Sequence, residues 1–336
     1  MPLPLDRLRT GLPPRFLLTL ALALAFVVFL TADQMHWWRL KPDYAFGWLV
    51  PFFVLYIVYE RWPRMQGTLR EPGRSPLSPV VHGTVMLAAG LTLGFGLMLF
   101  LLGAVYRASS GSTQPGSLAL AAGFSGVLLG LVYFNAPEGS VAAAAGATGW
   151  RAFRADARLR VTALFLFPAL IWMLSAPLVT AVENAISLFL LQRVTTVVFT
   201  VFNLLGYPLV QQGNVLVLPL GQVGVADACS GIRSLTGCLF AGSFLAAVFL
   251  DRFWKKILLV AAAMAFAFVT NLLRSLFLTA WAYAYGSHAI EGTLHDATGY
   301  AVLGLTCMGL LSLLPLFNGA RWRRWLGGDE VGPGAT

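Results

Sequence analysis

The chain has 336 residues, of which 58% are hydrophobic and only 11% charged, and its mean hydropathy is +0.75. Ordinary soluble domains carry charge on about a quarter of their residues, so a water-soluble globule is excluded. Apolar residues come in long runs such as 16–31 and 257–270, which suit lipid rather than a compact core, and the chain reads as an all-α polytopic membrane protein.

Arg7, Arg9 and Arg15 precede the first apolar run, as they would in a secretory signal. The run continues past signal-peptide length to Asp33 and His36 without a small-x-small cleavage site, so it is read as a retained first span. Further apolar stretches of roughly 20 residues place the spans at 16–32, 46–60, 82–106, 117–136, 161–182, 231–250, 257–281 and 297–317, eight in all. The segment 138–149 is Ala/Gly-rich and reads as a linker, and no internal repeat is evident. A single membrane domain over 1–320 is expected, with its catalytic part at about 183–300 and a basic, then Gly-rich, tail over 321–336.

Lys and Arg in short loops mark the cytoplasmic side. Arg7, Arg9 and Arg15; Arg61, Arg64, Arg70 and Arg74; Arg151, Arg154, Arg158 and Arg160; Arg252, Lys255 and Lys256; and Arg321, Arg323 and Arg324 all fall on one side of the eight-span arrangement. They account for seventeen of the 23 basic residues, so the net charge of +9 is explained by orientation, without nucleic acid. Both termini are then cytoplasmic, in a cytoplasmic (inner) membrane.

The longest outward segment, 183–230, divides in two. Ala185–Tyr207 is apolar but interrupted by Gln192, Arg193, Thr195, Thr196 and Asn203, and is expected to be a helix on the outer interface. A ninth crossing there is the competing reading, and it would turn the last two basic clusters outward. Val210–Val225 alternates and carries Gly/Asn turn signals, which predicts a short β-hairpin.

Three polar groups fall at the outer ends of spans, where lipid penalises them. Cys229 opens the sixth span within Asp227-Ala-Cys-Ser-Gly-Ile-Arg233; Asn271 and Arg274 lie in the seventh; His295 opens the eighth. Arg274 is about 26 Å along its span at ~1.5 Å per residue, where an arginine without a partner or wet cavity costs roughly 2.5 kcal/mol or more. Snorkelling to the headgroups would relieve it, but Asn271, three residues earlier, shares its face and favours an interior role. A helix N-terminus lowers the pKa of a thiol; Ser230 and Gly231 leave small side chains around the sulfur of Cys229. His295 carries protons near neutral pH, with Asp227, Asp296 or Asn271 as the group that orients it. Arg233, four residues after Cys229, is a candidate to bind an acidic substrate residue.

These residues resemble the exosortase/archaeosortase family of membrane transpeptidases. The resemblance rests on Val223–Leu235 with its Cys-Ser-Gly-x-Arg block, on Asn271-x-x-Arg274, and on His295 followed by Gly299. It extends to Gly213–Gly221 and to Asp43–Pro51. It implies a Cys229, Arg274 and His295 active site facing the exterior. The implied partners are secreted proteins whose C-terminal tail has a short motif (Pro-Glu-Pro in the common bacterial class), a membrane helix and a basic cluster. An amine-bearing acceptor, lipid- or polysaccharide-linked, would receive the cleaved protein, and no cofactor is implied. Bacterial members commonly have His-Gly where this chain has Phe46-Gly47.

Two rivals come from other chemistries. Gly123-Phe-Ser-Gly126 matches the short motif of rhomboid serine proteases, with Ser125 as nucleophile and His295 as base. A transporter or assembly factor for envelope polysaccharide would also place Arg, Asn and His in a membrane cavity. His36, His82, His288 and His295 lack the spacing of a metal site, and there is no phosphate-binding Gly-rich loop.

Overall fold

The structure is a computed structural model and describes residues 12–71, 73–140, 148–224, 232–290 and 292–325, with backbone only for 232–233 and 318–325. Its helices are α1 Pro14–Leu40, α2 Val50–Leu69, α3 Pro79–Ser110, α4 Gln114–Asn135, α5 Gly149–Ala155, α6 Ala157–Ser175, α7 Thr180–Leu204, α8 Ile232–Phe249, α9 Phe253–Tyr285 and α10 Thr293–Trp325. Short 3₁₀ turns cover Pro42–Leu49 and Ser287–Ile290. Three strands lie between α7 and α8: β1 Val210–Gln212, β2 Val215–Leu218 and β3 Gly221–Gly224. Contacts group the chain into two compact units, one of residues 1–41 and 47–178, the other of 42–46 and 179–336.

Among the described residues, eight helices are long and apolar enough to cross a membrane. Seven correspond to expected spans. The eighth in this set is Thr180–Leu204, whereas the expected sixth span contains only the shorter apolar stretch Ser234–Phe249. Three of the five polar residues that interrupt α7 in sequence are turned back onto its own carbonyls: Thr195 Oγ1 donates to Leu191 O at 2.9 Å, Thr196 Oγ1 to Gln192 O at 2.8 Å and Asn203 Nδ2 to Phe199 O at 3.0 Å. Their polarity is satisfied within the helix, which raises its effective apolarity above what residue types suggest. Its buried face, Leu191, Val194, Val198 and Phe202, packs on Leu209, Leu216, Leu218 and Val223 of the sheet region and on Leu278 and Ala282 near the end of α9. That packing joins α7 to the sheet and to the end of α9.

The expected hairpin is a three-stranded antiparallel meander, β1-β2-β3. Gln212 pairs with Val215 across Gly213-Asn214, and Leu218 with Gly221 across Pro219-Leu220. Gly213 has φ +62°, while no non-glycine residue among those described has positive φ, the pattern of a type II′ turn. The expected fifth span also ends earlier: Ala176, ahead of Pro177, is extended at ψ 140°, because the proline ring bars helical geometry in the residue before it.

In the first unit, α3 and α4 approach closely along glycines. A Cβ on Gly123 would lie 2.4 Å from Phe100 N, and one on Gly126 2.8 Å from Gly96 Cα. Small residues of this kind let membrane helices pack backbone to backbone. Ends of α1, α3, α4 and α6 are tied by polar contacts. Arg107 forms an ion pair with the fully buried Asp33, Trp37 Nε1 donates to Ser117 Oγ at 2.8 Å, Gln34 Nε2 to Trp172 O at 3.1 Å, and Trp38 Nε1 to Ser175 O at 3.1 Å. Arg107→Ala strands a buried carboxylate and is expected to cost about 3–5 kcal/mol, whereas Asp33→Asn, which keeps an acceptor, is expected to cost less. Thermal melting of the two variants in detergent checks the order, and equal melting temperatures would contradict it.

Candidate active site

The second unit is built on an antiparallel hairpin of α8 and α9. A Cβ on Gly242 would sit 2.6 Å from Ala263 Cβ, so glycine brings the helices together there, and this register sets Asn271 level with Ser234 in the first turn and a half of α8. The third helix, α10, runs antiparallel to α9: Thr270 Oγ1 and Thr306 Oγ1 are 3.0 Å apart, and Gly309 faces Phe266. Gly237 of α8 faces Leu303 of α10. The starts of α8 and α10 and the C-terminal half of α9 therefore come together.

Arg274 projects from α9 onto the first turn of α10. Its Nη2 donates to His295 O at 2.9 Å and its Nε to Thr298 Oγ1 at 3.2 Å, while Thr298 Oγ1 donates to the same His295 carbonyl at 2.9 Å. Gly299 lies under the guanidinium, 3.6 Å from Nη2 to the position a Cβ would take, so a larger side chain there would compete for its place. Both oxygens that the guanidinium reaches are neutral, and they belong to a helix N-terminus, itself the positive end of a dipole. Asp296 is the acidic residue of that turn. The local field favours an anion such as a thiolate or a developing oxyanion.

Asn271, one turn before Arg274, is only 3% exposed, and its buried Oδ1 has no hydrogen-bond partner among the described residues. Such an acceptor costs about 1–3 kcal/mol when left unsatisfied.

Of the residues expected to carry chemistry, Arg274, Asn271 and His295 come together in this unit. Cys229, Asp227, Ser230 and Gly231 lie outside the described residues, and Arg233 is placed by its backbone alone, at the second position of α8. Thr298 was not singled out in the sequence; its signal is its position three residues after His295, within reach of the same carbonyl. The segment Pro42–Phe46 also belongs to this unit. Thr236 Oγ1 of α8 donates to Asp43 O at 2.9 Å, and the Phe46 ring stacks on Phe240 at 4.8 Å between centroids.

The rhomboid-like motif has a packing role. Ser125 is 3% exposed and its Oγ donates to Ala121 O at 2.9 Å and to Ala169 O at 2.7 Å, while Gly123 and Gly126 supply the α3–α4 contact. A Ser125→Ala variant is expected to lose about 1 kcal/mol of stability and to keep any processing activity; loss of activity with the fold intact would revive the serine-protease reading.

The chain is a multi-pass membrane protein in which an arginine is held against a histidine-bearing helix start. The chain belongs to the transmembrane exosortase family (Exosortase_EpsH), whose sequence model matches residues 37–312. Membership supports, in broad terms, a membrane transpeptidase or protease role on protein substrates with sorting signals. No curated protein and no solved structure matches the chain.

Proposed function

We propose that the protein is a cysteine peptidase/transpeptidase that removes C-terminal sorting tails of secreted proteins at the outer face of the cytoplasmic membrane. The observation that carries the reading is the Arg274 guanidinium on the first turn of α10, beside His295, in a chain of this family. A tail arrested with its basic end inside would present its motif at the outer surface, the side assigned by the basic loops.

In the proposed reaction the Cys229 thiolate attacks the carbonyl carbon of the scissile peptide bond. Arg274 stabilises the oxyanion that forms. Collapse breaks the C–N bond, His295 protonates the departing amine, and a thioester remains on Cys229. An acceptor amine, lipid- or polysaccharide-linked, then attacks the thioester, gives its proton to His295, and releases the thiolate. Water in place of the amine gives hydrolysis. Arg233 would bind an acidic residue of the motif, and Asp227, Ser230 and Gly231 would shape the surroundings of the sulfur.

Co-expression with a secreted protein that carries a Pro-Glu-Pro tail tests this. The tail should disappear with wild type and persist with Cys229→Ala. A tail that is lost equally with both removes the cysteine mechanism.

A further inference from the structure

Several polar side chains in the membrane helices of the second unit are committed to partners. Thr270 bonds to Phe266 O and to Thr306, Ser275 to Asn271 O, and Thr306 to Val302 O. Among the described residues, Asn271 Oδ1 is the one buried side-chain polar atom of this unit that lacks a partner. It stands one turn from Arg274 on the same face of α9, about 4.5 Å along the axis. Two of the five N–H donors of Arg274 are used, on Thr298 and on His295 O. Among the described residues the remaining N–H donors of Arg274 have no partner, and their residue stands one helical turn along α9 from this acceptor.

A group that satisfies both needs one carbonyl and one N–H pointing the same way. One residue of an extended peptide presents that pair, as it does to a neighbouring strand. The geometry points to Asn271 and Arg274 as a two-point clamp on the main chain of the substrate: the guanidinium donates to a substrate carbonyl, and Asn271 Oδ1 accepts the N–H of the same residue. This rests on the peptidase reading above and adds to it a role for Asn271. The clamp fixes register without reading side chains, because every residue except proline carries the N–H. It therefore requires a non-proline residue at one defined place in the tail.

Full-length protein in detergent and a set of synthetic tail peptides, each N-methylated at one backbone nitrogen across the motif, test the clamp. With wild type, N-methylation at one position should lower kcat/KM about 10-fold, the effect of one lost hydrogen bond of ordinary strength. Asn271→Ala should be slower by a similar factor on the unmodified peptide, and the same N-methylation should then cost nothing further, the mark of two changes that remove one interaction. Asn271→Asp, which keeps an acceptor, should restore sensitivity to N-methylation. The clamp is overturned if wild type tolerates N-methylation at every non-proline position, or if the penalty persists undiminished in Asn271→Ala. The wild-type scan needs no variant, so an alanine substitution that prevents folding leaves the test intact. Failure of wild type to process any tail overturns the peptidase reading and the clamp together, and is distinguished from the other outcomes by the unmodified peptide.

Discussion

Replacing Cys229 by serine is expected to lower the rate of tail cleavage by about 10⁴-fold or more, because the reaction loses its nucleophile. A thiol at neutral pH already supplies a fraction of thiolate, and a cation beside it raises that fraction; a serine hydroxyl needs a base aligned for it at the moment of attack. The other two cysteines provide the contrast. Cys238 is buried within α8 and Cys307 is partly buried within α10, positions where a thiol acts as a small apolar side chain. Serine at either should leave cleavage nearly unchanged. Mass spectrometry of the secreted substrate separates the three variants, and a Cys229→Ser enzyme with wild-type turnover would end the thiolate mechanism.

Arg274→Ala is expected to cost about 10²–10³-fold in kcat, the usual effect of removing one preorganised group that stabilises an oxyanion. Lysine is expected to recover only part of it. The guanidinium reaches the Thr298 hydroxyl and the His295 carbonyl from two nitrogens of one planar fork, and a single ammonium does not reproduce that pair while still facing the substrate. Thr298→Val isolates the contribution of the first contact and should cost less than either change at Arg274. Kinetics measured alongside melting temperatures are decisive: if Arg274→Ala melts far below wild type yet retains activity per folded molecule, its role is structural and the oxyanion assignment falls.

Much of this arrangement is legible in the sequence because lipid imposes simple rules. Span-length apolar runs locate most of the helices, and Asn271, Arg274 and His295 attract notice because their polarity is expensive where they stand. What the sequence hides is polarity that cancels locally. Thr195, Thr196 and Asn203 interrupt α7 as letters, yet each bonds to the preceding turn. Ser125 and its glycines look like a catalytic motif because the small residues that suit a nucleophile's surroundings also suit a close helix crossing. The ion pair of Arg107 with Asp33 was not anticipated, since residues 74 positions apart carry no local signal of contact. The third strand follows Pro219-Leu220, a turn without the Asn-Gly or Gly-Asn signature that marked the first.

The stacking of Phe46 on Phe240 joins the same two stretches as the bond from Thr236 to Asp43, whose residues are 193 positions apart. During synthesis Asp43 and Phe46 leave the ribosome well before Thr236 and Phe240, so α8 cannot acquire this support until more than half of the polypeptide has been made. Closing so long a loop is an entropic cost that grows slowly with length but delays the event. That support reaches α8 only once the chain has been made through Phe240, so a chain truncated ahead of α8 lacks it.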